Sequence, residues 1–261
     1  MAERPMTVEV SAESHAAAMR DYMPEGESRA LALGNRGPLR FESDGAVHRD
    51  ILEPYRRCGF YILEGVLGEE ELAELRADVE RVVAGAPIEP GTSVDARGRP
   101  AIGVGLARPS FSFARPLSDP LGGTGRYQGR HPVKMQEPMP AAGAPERTVE
   151  LLLAHLQIMD SCLCLYGHPG LLAVAEAVNG PDFVPFNEVV FMKEAALGVS
   201  VAWHRDGTTH WSSPTFHPGS HGFNFMAQLY GSTPGRRPRD GRGCRAAPTR
   251  RCRACCRKAG P

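Results

Sequence analysis

The sequence predicts an α+β fold, with N-terminal helices packed on an antiparallel jelly-roll, cupin-like barrel. Three observations carry that expectation. Apolar residues recur at helical spacing over 46–57, 69–83 and 169–178. From residue 183 the pattern turns to strands, and Phe223-Asn224-Phe225-Met226-Ala227-Gln228-Leu229-Tyr230 alternates cleanly. After Tyr230 no Val, Ile, Leu, Met, Phe, Trp or Tyr occurs. A run without large apolar side chains cannot build barrel strands, so the barrel is expected to be incomplete at its C-terminal side.

Taken in order, residues 1–43 mix charge, Gly and Pro and read as an irregular N-terminal arm. Ala46 to Arg57 reads as a short helix with Val47, Ile51 and Tyr55 on one face. Gly59-Phe60-Tyr61-Ile62-Leu63 is a β-rich run ending at Glu64-Gly65. Glu69 to Val83 is a helix striped by Leu72, Leu75, Val79 and Val82–Val83, with Glu69 to Glu71 at its positive N-terminal end. Residues 85–145 are rich in Gly and Pro and read as loops and short strands, Val133-Lys134-Met135-Gln136 among the latter. Thr148 to Leu165 reads as an apolar helix. Pro169 to Val178 reads as another, with Pro169 in the first turn and Gly180 just past the end. Phe183 to Lys193 and Ser200 to Asp206 read as strands, and His210 to His221 as a loop.

The chain has 261 residues, 42% hydrophobic and 23% charged, enough for one sizeable core. The zero formal net charge hides a split: residues 235–261 hold nine Arg and one Lys against one Asp, leaving the body near −9. No run of eighteen apolar residues occurs, so no membrane span is expected. The first ten residues lack the apolar stretch of a secretory signal. Cys58, Cys162 and Cys164 are too few for a disulfide framework, and read as small apolar residues in a reducing cytoplasm.

The segment richest in chemistry is Val201-Ala202-Trp203-His204-Arg205-Asp206-Gly207. On a strand, His204 and Asp206 share one face. An imidazole and a carboxylate so placed supply two ligands of a 2-His-1-carboxylate triad, which holds Fe(II) and leaves positions open for O2 and a cosubstrate.

His204-Arg205-Asp206, the upstream run Gly59-Phe60-Tyr61-Ile62-Leu63-Glu64-Gly65-Val66-Leu67 and the downstream His221-Gly222-Phe223-Asn224-Phe225 together resemble the phytanoyl-CoA dioxygenase family over about residues 44–233. The resemblance implies a double-stranded β-helix that binds Fe(II) and 2-oxoglutarate. It also implies an enzyme that hydroxylates a small organic or acyl substrate with O2. His204 and Asp206 match the family's first two iron ligands. Asn187 and Lys134 match polar contacts to 2-oxoglutarate.

The family's distal His and its 2-oxoglutarate-anchoring Arg follow further barrel strands. Here Pro218-Gly219-Ser220-His221 lies before the last alternating segment, so His210, His217 and His221 read as loop histidines at the barrel mouth. Residues 234–261 form an Arg- and Cys-rich tail of residues with GC-rich codons. They read as a shifted reading frame or otherwise aberrant end, disordered, which impairs turnover. Cys244, Cys252, Cys255 and Cys256 make a poor zinc set, and the Arg run lacks the aromatic interleaving of a nucleic-acid surface. The alternative function is a jelly-roll remnant that binds a small molecule without turning it over.

Overall fold

A computed structural model describes residues 11–184, 188–202, 204 and 224–230. It is an α+β structure. Its helices are α1 (Ala12–Ala32), α2 (Arg49–Cys58), α3 (Glu69–Ala84), α4 (His155–Ile158), α5 (Asp160–Tyr166) and α6 (Pro169–Asn179). Its strands are β1 (Arg36–Pro38), β2 (Ile62–Glu64), β3 (Phe111–Ala114), β4 (Thr148–Leu152) and β5 (Val190–Phe191). β1 and β2 pair in parallel, while β3-β4-β5 form an antiparallel sheet. Among the described residues these small sheets do not close into a barrel.

The helices at 49–58, 69–84 and 169–179 form where apolar periodicity places them. The stripe of α3 buries Leu75, Val79 and Val82 against Phe111, Leu152, Met159 and Cys162. Its first turn is tied by Glu71, whose carboxylate accepts from the Gly68 amide at 2.7 Å. A second cluster joins Val47 and Ile51 to Val174 of α6, with Leu63 and Tyr61 packed against it. Residue 180 ends α6 at φ +83, a conformation that suits Gly.

Four expectations are corrected. The arm is not irregular throughout: Ala12–Ala32 is helical despite Pro24, with Ser11 capping Ser14 N at 3.1 Å. None of its residues is buried, so no apolar stripe announced it. A Glu25–Arg29 pair at 3.6 Å and the Arg29–Tyr22 ring contact support it instead. Second, Thr148 to Leu165 is not one helix. Thr148 and Val149 pair with Ala114 and Phe113 in a ladder, and Ala154 at φ +52 breaks the chain before α4. A short apolar run fits a buried strand as well as a helix, and β-branched residues tip it to the strand.

Third, Val133 to Gln136 is no strand, because the Met135 amide donates to the Asp119 carboxylate. Fourth, among the described residues after β5, Ser200 to Ala202, His204 and 224–230 form no ladder. Ser200 N donates to Ser118 O at 2.8 Å, and the Leu229 carbonyl is captured by Arg76 Nε at 2.7 Å.

No disulfide joins Cys58, Cys162 and Cys164; Cys162 is buried in the α3–α5 contact, where burial, aided by the Asp78 charge, pushes its thiol up to about 11. Among the described residues no single helix is long and apolar enough to cross a membrane.

Candidate functional site

Two segments, 115–137 and 193–204, come together around His204. Backbone bonds join them: Leu117 N donates to Leu197 O at 3.1 Å and Ser200 N to Ser118 O at 2.8 Å. Val199 and Ala202 are buried at 2% and 1% exposure, which anchors the chain just before the histidine.

The His204 ring is turned by its own backbone. Nδ1 lies 2.8 Å from the Ala202 carbonyl oxygen. A carbonyl only accepts, so Nδ1 donates its N–H to it. Metal-ligating histidines are oriented in this way, with the second ring N–H donated to a carbonyl or carboxylate. The donor chemistry of His204 therefore fits Fe(II).

Against His204 packs a second imidazole. His131 is 1% exposed, and the two ring centroids are 4.2 Å apart with an interplanar angle of 36°. The loop carrying His131 is clamped by Asp119, which is fully buried. Asp119 Oδ1 accepts from Gly122 N at 2.9 Å, and Oδ2 from Met135 N at 2.7 Å. Gly123 N donates to the His131 carbonyl at 2.9 Å. Gly122 is required here, because a Cβ would fall 1.9 Å from Asp119 Oδ2 and 2.7 Å from the Val133 carbonyl.

Lys134 lies three residues beyond His131 and is half-exposed. Its ammonium donates to the Asp119 carbonyl and to Glu137 Oε1, the latter at 2.7 Å. Glu137 Oε1 also accepts from Asp119 N at 2.7 Å, and Oε2 pairs with Arg115. Burial alone would raise the Glu137 pKa; the Lys134 ammonium, the Asp119 amide and Arg115 together hold it below the ordinary glutamate value. This cradle already holds a carboxylate, so a cosubstrate carboxylate at Lys134 would replace Glu137.

Lys193 borders the site from the other side. It donates to the Val199 carbonyl and closes the turn in which Gly198 N bonds Glu194 O at 2.7 Å. Burial lowers its pKa, partly offset by Glu150 and Asp119.

Of the residues expected at the site, His204 and Lys134 lie on the two joined segments, and His131 packs against His204. Asp206 and Asn187 lie outside the described residues, as do His210, His217 and His221. Among the described residues no group of three or more His, Cys, Asp and Glu is set to hold a metal. The sequence reading missed His131, Asp119, Glu137 and Lys193. Asp119 with Gly at 122 has the spacing of a turn and could have marked the clamp; a lone loop histidine carries no such mark. Compared with family models, curated proteins and solved structures, the chain matches none.

Proposed function

We propose that this chain is an Fe(II)- and 2-oxoglutarate-dependent oxygenase of the phytanoyl-CoA dioxygenase type, acting on a small organic or acyl substrate. In this reading β3-β4-β5 is part of a double-stranded β-helix. His204 and Asp206 ligate iron, and Asn187 and Lys134 contact 2-oxoglutarate. Iron, when bound, would couple oxidative decarboxylation of 2-oxoglutarate by O2, giving succinate and CO2, to hydroxylation of the substrate.

The observation that carries the reading is the His204 Nδ1 contact to Ala202 O, two residues before an aspartate. With Nδ1 committed to that carbonyl, Nε2 is the nitrogen that would ligate iron in this reading. The antiparallel sheet and the His-x-Asp spacing support it further. The protein's part is to hold the imidazole in one tautomer, keep a cation beside the cosubstrate carboxylate and shield the site from bulk water.

Anaerobic Fe(II) titration tests the reading. Saturable binding is expected in the wild type and should be lost in His204→Ala. Equal affinity in both proteins would remove the assignment. Succinate formation from 2-oxoglutarate is expected to be slow, because Lys134 is already committed to Glu137 and the Asp119 carbonyl and would have to exchange partners. If iron binds and no succinate appears under any condition, the non-catalytic binding remnant is the better description.

A further inference from the structure

We propose that Arg115, Lys134 and the Asp119 backbone amide form a binding site for a ligand carboxylate, and that Glu137 is its internal occupant, which the ligand displaces. The site needs no metal. It deepens the oxygenase reading at Lys134 and stands on its own contacts elsewhere.

Three donors converge on one carboxylate. Lys134 Nζ and the Asp119 amide each donate to Glu137 Oε1 at 2.7 Å, and the Arg115 guanidinium donates to Oε2. An ammonium, a guanidinium and a backbone N–H are the groups that recognise a carboxylate. The segments carrying them are fixed by other bonds. Asp119 is fully buried, and its side chain is tied to Gly122 and Met135. Lys134 also donates to the Asp119 carbonyl, and the Arg115 carbonyl accepts from Ser118 N at 3.2 Å.

Glu137 itself is held more loosely. It lies in no helix or strand, and among the described residues each of its hydrogen bonds runs through its carboxylate. Its side chain is 24% exposed and both cations are half-exposed, so the cradle opens to solvent. Asp95 is the contrast. Its carboxylate is 1% exposed, inside a turn whose Arg97 and Arg99 amides donate to it, which leaves no path for a replacement. Turning the Glu137 side chain into water leaves two cations and one amide without that acceptor, and a ligand carboxylate restores all three contacts. One anion takes the place of another, so no charge is left unpaired. A tethered carboxylate competes at high effective concentration, and the apparent affinity for a free one falls with the fraction of time the cradle stands open. Glu137 thereby sets a threshold that a carboxylate passes by being abundant or by gaining further contacts.

The test uses the full chain without metal, with acetate exchanged for chloride at constant ionic strength. Acetate supplies the bare group, and the Asp119 amide proton reports on it by NMR. In Glu137→Ala that proton should lose its hydrogen-bonded shift and regain it as acetate is added, with an affinity about tenfold or more above wild type. Adding Arg115→Gln to Glu137→Ala should weaken acetate again by roughly tenfold, as expected for one charge-assisted contact. An affinity within about threefold of wild type, or an amide shift that acetate does not restore, overturns the inference and leaves Glu137 as an ordinary ion-pair partner. A second arm uses 2-oxoglutarate. Tighter binding than acetate, further enhanced in Glu137→Ala, joins the cradle to the oxygenase reading. Binding no tighter than acetate leaves a carboxylate site and removes Lys134 from that reading. Fe(II) binding by His204 is measured separately, so either can fail while the other stands. Should Glu137→Ala fail to fold, the wild type decides: high acetate should move the Glu137 carboxyl carbon resonance toward that of an exposed glutamate, and a resonance that stays in place overturns the inference.

Discussion

Asp95 and Asp119 are both buried, and each folds a glycine-containing loop around its carboxylate, yet they do different work. Asp95 accepts from Arg97 N and Arg99 N at 2.9 Å each and pairs with the Arg99 guanidinium at 2.7 Å. All its partners lie within four residues, so it makes a self-contained turn. Asp119 accepts from Gly122, three residues on, and from Met135, sixteen residues on. Its side chain has no guanidinium partner among these contacts, and its loop brings His131 onto His204. A local carboxylate shapes a turn, whereas a long-range one positions a site. The two loops should therefore respond differently to the same kind of change.

The largest expected difference comes from removing the carboxylates. Asp119→Ala leaves one buried backbone amide, at Gly122, and one part-buried amide, at Met135, without an acceptor. At about 1–3 kcal/mol for each, with the part-buried one at the low end, the loss should be roughly 2–4 kcal/mol. If His204 holds iron as proposed, it should also lower Fe(II) affinity, because the loop packed against His204 is no longer held. Asp95→Ala should destabilise the 93–101 turn and leave Fe(II) binding unchanged. Urea unfolding and Fe(II) titration of both variants measure this. A metal defect in Asp95→Ala, or none in Asp119→Ala, would break the distinction between local turn and positioning clamp.

A finer comparison uses the glycines. In Gly122→Ala the new Cβ meets Asp119 Oδ2 at 1.9 Å and a backbone carbonyl at 2.7 Å, so the loop has to move. The expected cost is about 2–3 kcal/mol, the upper range for overpacking. Gly98 has φ +71, and a Cβ there would meet nothing within 4 Å. Gly98→Ala should cost only the left-handed strain, about 1–2 kcal/mol. Thermal melts of the two variants compare them directly, and equal shifts would mean that the crowding at Gly122 relaxes freely.

These contrasts also show how much was legible in the sequence. The helices over 49–58, 69–84 and 169–179 could be read because burial imposes a period on their residues. Leu75, Val79 and Val82 sit where that period puts them. The helix 12–32 could not be read this way, since it buries nothing and contains Pro24. β4 was hidden because Leu151 and Leu152 suit a helix or a strand equally, and only pairing with β3 decides. At the candidate site, the sequence singles out His204 by its spacing to Asp206, and the structure packs its ring against His131. His131 was not legible: its contact with His204 spans 73 positions and depends on one aspartate bonding to Met135. Lys134 was legible as a polar residue, but its commitment to Glu137 and the Asp119 carbonyl is a tertiary fact.

The smallest expected effect is on acid stability, and its sign can be worked out. The Asp95 carboxyl is held below its ordinary value of 3.8, chiefly by the Arg99 guanidinium and amide. Glu137 lies below its ordinary 4.5 although burial opposes this, because Lys134, the Asp119 amide and Arg115 outweigh it. A depressed folded pKa means that each group adds stability above its unfolded value and loses it as pH falls through the folded one. Glu137 starts from the higher value, so the 115–137 loop should begin to lose support first on acidification. Lys134 and Arg115 are half-exposed, so screening keeps the Glu137 contribution to about 1 kcal/mol or less. Hydrogen-exchange protection of the Asp119 amide, which donates to Glu137, should therefore fall at a higher pH than that of the Arg99 amide, which donates to Asp95. Glu137→Gln keeps an acceptor for the Asp119 amide and removes the titration. It should flatten the pH dependence at 119 and leave that at 99 untouched. A wild-type profile in which both amides lose protection together would mean that the two loops open as one unit, and the separation between them would fail.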